Sequence, residues 1–118
     1  MGRKNQIPQF YAITDGDLSA DIAGLKSVVG QTDRAFYIAE VAGTDIAGEL
    51  KIEVSEDDIV WTELPISPDI NLSNANLSAI VQISEITWKF MRPRYIDLST
   101  GVAVGTLNVR MTATTQGA

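Results

Sequence analysis

An all-β fold, a single antiparallel β-sandwich of about eight strands with jelly-roll-like character, is what this amino-acid sequence predicts, on three observations. Apolar and polar residues alternate with a period of two in the best-patterned stretches. Turn residues interrupt those stretches at short intervals. No segment carries an apolar stripe of period 3.6 over the ten or more positions a helix needs. With 118 residues, the chain has the size of one domain, enough to bury roughly two thirds of the surface that the unfolded chain exposes.

Residues 1–8 are polar, carry the basic pair Arg3 and Lys4, and end in Ile7-Pro8. They are expected to form an N-terminal arm that becomes ordered against a neighbour, ahead of a sandwich domain over residues 9–118. Gln9 to Thr14 follows as a first strand candidate. Asp17 to Leu25 is too short for a helix and is interrupted by Gly24, so a loop with one helical turn is expected there. Leu25 to Val29 is a weaker strand, and Ala35 to Val41, rich in Phe, Tyr, Ile and Val, reads as a central one.

From Gly48 to Ser55 the alternation is clean, with Leu50, Ile52 and Val54 on one face and Glu49, Lys51 and Glu53 on the other. Val60 to Leu64 and Val81 to Ile83 are further candidates. Between them, Pro65 to Ala79 is rich in Pro, Asn, Asp and Ser and reads as a long loop that crosses between sheets or carries binding contacts. Thr87 to Tyr95 carries Trp88, Phe90 and Tyr95, and Pro93 assigns its end to an edge or a bulge. The last strand sets Leu107, Val109, Met111 and Ala113 against Thr106, Asn108, Arg110 and Thr112.

The composition narrows the chemistry. There is no cysteine and no histidine, which removes disulfides, thiolate metal sites, the commonest general base and the commonest metal ligand. Fifteen acidic residues against nine basic ones leave a net charge of −6, a surface that opposes nucleic acid. No apolar run is long enough for a membrane span, and no apolar segment follows the basic pair as in a secretion signal. Glu56, Asp57 and Asp58 lack the spaced oxygen ligands of a calcium loop and read as a solvated turn. Ser55 has no histidine for a catalytic triad. With two Trp and three Tyr, little aromatic surface is left for a sugar subsite. The chain is therefore expected to be no enzyme and to need no cofactor.

The most informative stretch runs from Gly48 to Leu64. An alternating strand ends at Ser55, a short turn follows, and a second strand opens with Trp61. Asp57 can accept backbone N–H groups within the turn, and Asp58 occupies a position that favours a left-handed residue, a conformation Asp tolerates. Trp61 is expected to cover the end of the core.

This hairpin resembles one in a loose family of small phage structural proteins, where a strand ends in Ser-x-Asp-Gly and a Trp and Thr-x-Leu follow. Here Asp58 stands in the place of the usual Gly. The likeness extends to Phe90-Met91-Arg92-Pro93-Arg94-Tyr95, to a Gly-containing hairpin at Ser99-Thr100-Gly101, and to Gly105-Thr106-Leu107-Asn108-Val109. The hairpin is also similar to ones in sialidase repeats and discoidin-type sandwiches, where it serves folding and not catalysis.

The resemblance implies a jelly-roll-like or galactose-binding-like sandwich found in phage virions. Together with size, acidity and the missing catalytic residue types, it points to a capsid decoration or cement protein. Such a protein would assemble in the host cytoplasm and bind the major capsid protein and copies of itself, as a homo-trimer or homo-pentamer. It would bind neither nucleic acid nor membrane. The alternative is a tail, baseplate or spike module, with a glycan as one ligand class. Contacts with partners are expected from Arg3, Lys4, Phe10 and Tyr11. Arg92 and Arg94 are expected either at a subunit boundary or on Glu53 or Glu63 within the domain. Tyr37, Phe36, Trp88 and Phe90 are expected in the core.

Overall fold

The computed structural model describes residues 6–65, 70–73 and 77–115, and every regular element among them is a β-strand. In chain order these are β1 (Gln6–Asp17), β2 (Ile22–Ala23), β3 (Ser27–Val28), β4 (Arg34–Thr44), β5 (Ala47–Ser55), β6 (Thr62–Leu64), β7 (Ile70–Ser73), β8 (Leu77–Ser84), β9 (Phe90–Asp97) and β10 (Val104–Thr114). They form two antiparallel sheets. One has the order β1-β10-β4-β8; the other has β2-β9-β5-β6, with β3 also on β9 and β7 also on β5.

Taking β2 with β3 and β6 with β7 as interrupted single strands gives eight strands in two four-stranded layers. That is the strand order of a jelly roll. The ten strands observed, against about eight expected, arise from these two interruptions.

The chain switches sheets at almost every turn. From β4 to β5 it crosses in two residues, Asp45 with a positive φ of 55° and the buried Ile46. β9 and β10 also lie in different sheets, so Ser99-Thr100-Gly101 forms a crossover and not the hairpin expected. Thr100 and Gly101 turn it with φ values of 58° and 82°. Asp97 holds it together: its carboxylate accepts from the N–H and hydroxyl of Ser99, and from the Gly101 N–H at 3.1 Å.

Inward-facing residues of both sheets make one core. Tyr37, Leu107, Val109 and Met111 come from the first sheet, and Leu50, Ile52, Met91 and Tyr95 from the second. All are essentially inaccessible to water, and each buried aliphatic contributes roughly 1.5–3 kcal/mol. Ladder β4–β10 runs without interruption from Arg34↔Thr114 to Thr44↔Val104. Gly43 and Gly105 face each other in it, and a Cβ on either would lie 2.1 Å from a carbonyl oxygen of the opposite strand.

Two irregularities have identifiable causes. β1 slips its register against β10 three times, at bulges that let Ile7, Phe10 and Ile13 all face the inward row Ala113, Met111 and Val109. Pro8 lies in the first bulge, where a missing N–H breaks no ladder bond. Pro93 sits not at an edge but inside the sheet, fully buried on β9 opposite Ile52. Its carbonyl accepts the Gly24 N–H at 2.8 Å, so its nitrogen faces the same flank, where β2 has ended and β3 has not begun. A Cβ on Gly24 would come within 2.6 Å of the Pro93 ring. The gap between β2 and β3 thus accommodates the proline.

Several expectations are corrected. β1 already includes Gln6, Ile7 and Pro8, so the strand takes in residues assigned to the arm, and Thr112 Oγ1 donates to the Ile7 carbonyl at 2.9 Å. Asp17 to Leu25 holds a turn and β2. The stretch from Pro65 to Ala79 contains β7 and the start of β8. Phe36 points outward between Thr112 and Gln82.

Two buried tyrosines differ in one respect that can be tested. Tyr95 Oη donates to the Leu18 carbonyl at 2.9 Å. Tyr37 Oη has no hydrogen-bond partner among the described residues, and burial pushes its ionisation far above the ordinary tyrosine range. Tyr37→Phe is expected to leave stability unchanged or raise it by up to about 1 kcal/mol, and Tyr95→Phe to lower it by about 1–2 kcal/mol. Urea-unfolding midpoints of the two variants measure the contrast.

Candidate interaction surface

The two sheets present very different outer faces. At the centre of the six-stranded sheet the outward positions are charged: Glu49, Lys51 and Glu53 on β5, Arg92 and Arg94 on β9, and Glu63 on β6. Cross-strand register sets Glu53 between Arg92 and Glu63, and Lys51 opposite Arg94. Arg92 Nε donates to Glu53 Oε1 at 2.9 Å, and Arg94 reaches Glu53 Oε2 at 3.4 Å. Lys51 bridges Glu49 at 2.9 Å and Glu63 at 3.8 Å. The Glu53 side chain is only 10% exposed, covered by its two arginines.

Trp61 lies on this same face. Its ring stacks under the Arg92 guanidinium at 4.1 Å, so it does not cover the end of the core as expected; half-buried Trp88 packs against the core instead. Arg92 is clamped between a carboxylate and an aromatic face, two favourable environments for a guanidinium. This face neutralises itself.

The turn beside it is built by Ser55 and Asp57. Ser55 Oγ accepts from the N–H groups of Asp57 and Asp58 and donates to Asp57 Oδ1 at 3.1 Å. Asp57 Oδ1 in turn accepts from the Ile59 and Val60 N–H groups, both at 2.9 Å. Asp58 has a φ of 64° and pairs with Lys26, whose ammonium also lies 5.7 Å from the Phe90 ring. Ile59 and Val60 project from the tip, well exposed. No group of three acidic side chains among the described residues is placed to hold a metal ion.

The four-stranded sheet is different. One row across it reads Tyr11, Arg110, Ile38 and Ile80, each beside the next on adjacent strands. Tyr11 is 48% exposed and Ile80 70%. Arg110 pairs along the sheet with Glu40 at 3.0 Å. On the β4–β8 side Phe36, Ile38, Ile80 and Gln82 form an uncharged patch, bounded by Glu40 opposite Ser78 at one end and Arg34 opposite Ser84 at the other.

The residues singled out from the sequence therefore scatter. Arg3 and Lys4 lie outside the described residues. Phe10 turns inward and packs against the core, so it is no exposed anchor, while its neighbour Tyr11 faces out. Arg92 and Arg94 both meet Glu53 within the domain. Ser55, Asp57 and Asp58 meet in one turn, next to Trp61. Ile80 went unnoticed because the stretch before Val81 reads as loop. Among the described residues, one solvent-open cleft of about 380 Å³ lies beside Ser55, Thr62 and Trp88, and another of about 530 Å³ beside Ile7, Val28 and Phe90.

No protein-family model matches the chain, and no curated protein sequence matches it. Solved structures do share its fold. The SPBc2 prophage-derived protein YomS superposes with a TM-score of 0.65 at 10% identity, covering 98% of this chain and 97% of YomS. The PBSX exported protein XepA gives 0.65 at 18% identity over 94% of this chain, but that is 38% of XepA. A chain from the structure of infectious bursal disease virus Gx strain gives 0.57 at 10% identity, over 99% of this chain and 33% of that one. At such identities the likeness is one of fold: a jelly-roll sandwich that also occurs in prophage-derived and viral proteins.

Removing the shared carboxylate with Glu53→Ala is expected to cost about 1.5–3 kcal/mol, because two guanidinium groups lose their acceptor. Trp61→Ala should cost only about 0.5–1 kcal/mol. Chemical denaturation of both variants checks the ranking.

Acid should also destabilise the chain through its turns. The Val60 and Ile59 N–H groups hold the Asp57 carboxyl below its usual value of 3.8, and the Ser99 hydroxyl and N–H do the same for Asp97. A carboxyl whose folded-state value is depressed contributes stability above its unfolded value, and that contribution is lost as pH falls through the folded one. Thermal unfolding should therefore shift downward below about pH 4, and Asp97→Asn should show a smaller shift between about pH 5 and about pH 2 than the parent.

Proposed function

We propose that this chain is a non-catalytic structural protein of a phage virion, and within the particle a capsid decoration or cement subunit. The observation that carries the reading is the jelly-roll sandwich itself, matched over nearly its whole length by a prophage-derived protein. The acidic surface and the absence of histidine and cysteine support it. The subunit would bind the major capsid protein and further copies of itself, in a virion assembled in the host cytoplasm. Neither nucleic acid nor membrane is among the proposed partners.

The mechanism is adhesive. A rigid sandwich with a self-neutralised charged face and a less charged opposite face has an asymmetry suited to lying on a shell. The uncharged patch around Ile38 and Ile80 is the part that loses least on desolvation, because its charged neighbours Arg110 and Glu40 already pair with each other. Repetition over a shell turns modest single contacts into firm attachment.

A second reading is a tail, baseplate or spike module, with a surface glycan as one ligand class. It is favoured by the XepA comparison, where the same fold occupies 38% of a longer chain.

Stoichiometry separates the two. Quantitative protein measurement on purified particles should give tens of copies or more for a capsid cement, and roughly six to twelve for a tail module. Particles assembled without the chain should lose their contents at lower temperature or in milder chelator and salt than complete ones. Equal fragility of the two preparations contradicts the cement assignment.

A further inference from the structure

The sandwich has four outer strand edges, and three of them are blunted. Along β1 there are three bulges, Pro8, and the acids Asp15 and Asp17, and the Leu25 N–H reaches across to the Ala12 carbonyl at 2.9 Å. The edge made by β2 and β3 is broken between Ala23 and Ser27. The edge made by β6 and β7 is likewise two short pieces. Breaks, bulges, prolines and charges are the usual means of stopping a sheet edge from pairing with another chain.

The fourth edge, β8, has none of these. It pairs with β4 through eight consecutive residue pairs without a register shift. Its sequence, Leu-Ser-Ala-Ile-Val-Gln-Ile-Ser, has no charge, proline or glycine, on a chain whose net charge is −6. No strand lies on its far side among the described residues. β8 is the longest strand of the fold without a charged residue, and it stands at an edge.

We propose that β8 is a self-association edge: two copies of this chain pair β8 against β8 antiparallel about a two-fold axis, joining the four-stranded sheets into one continuous sheet. A second copy fits better than another partner because every other well-formed strand of this acidic chain carries charge, whereas an uncharged edge meeting itself opposes no like charges. A two-fold antiparallel contact requires that facing residues share a sheet face, so the axis passes through a residue. With the axis at Ile80, Leu77 faces Ile83 of the second copy and Ala79 faces its Val81. Ile80 then meets Ile80, extending the outward row that already contains Ile38. This is a two-fold grouping, in place of the trimer or pentamer expected from the sequence, and it stands independently of the virion reading.

Sedimentation velocity on the full chain across the micromolar range is expected to show a monomer–dimer equilibrium. Ile80→Lys should remain monomeric at every concentration while keeping its circular dichroism and thermal midpoint, because the parent side chain is 70% exposed. The chain has no cysteine of its own, so Ile80→Cys supplies a single thiol. Facing Cα atoms in an antiparallel ladder lie about 4.5–5.5 Å apart, within disulfide reach, and mild oxidation should convert this variant to a covalent dimer. Ser78→Cys is the register control: its own copy would lie about 13 Å away along the strand, and it should stay uncrosslinked. A parent that is monomeric throughout the range, an odd-numbered assembly, a dimer that survives Ile80→Lys, or crosslinking of Ser78→Cys as efficient as that of Ile80→Cys would each overturn the proposal.

Discussion

The ladder between β4 and β10 is the constraint on which the rest of the molecule depends. It joins the middle of the chain to its last strand, Arg34 facing Thr114 and Thr44 facing Val104, and it supplies Tyr37, Leu107, Val109 and Met111 to the core. Among the described residues β1 has only β10 to pair with, and β8 has only β4. The first sheet therefore exists only once the C-terminal strand has been inserted between β1 and β4. Nearly all of its pairings are distant in sequence, so the fold carries a high loop-closure cost and is expected to form slowly for its size. Close approach is built in at the end of the ladder, where the Gly43 and Gly105 backbones face each other without room for a side chain.

Alternation made β4, β5 and β10 legible, because each of these strands buries one face over most of its length. It failed where other physics intervened. In β1 the bulges keep Ile7, Phe10 and Ile13 inward at intervals of three residues, so no period of two survives and Phe10 looks like a surface residue. The start of β8 was hidden by the Asn- and Ser-rich sequence around it, although Ile70–Ser73 pairs with β5 and the first residues of β8 pair with β4. Pro93 argued for an edge because the gap between β2 and β3 that accommodates it is not a local property of the β9 sequence. Strand order was out of reach altogether, since a jelly roll sends successive strands to opposite sheets.

The interaction surface divides in the same way. The Ser55–Asp58 turn could be read because its hydrogen bonds join residues two or three positions apart. The clamp on Arg92 was legible only in part: Glu53, 39 residues away in sequence, was one of the alternatives the sequence offered, but the stacking of Trp61, just ahead of β6, was not. Once assembled, that cluster satisfies its own charges and leaves little for a partner. What remains open lies on the opposite sheet, where the uncharged patch around Ile38 and Ile80 runs out to β8, an edge with no further strand among the described residues.

The claim at the centre of this account is that the sandwich is a repeating part of a particle. It is tested most directly by a difference map from electron cryomicroscopy of particles assembled with and without the chain. The account predicts two-layered density, with the 52 × 27 × 24 Å extents of this domain, repeated over the shell and absent from the depleted particles. Indistinguishable maps, or difference density confined to the tail, would contradict it.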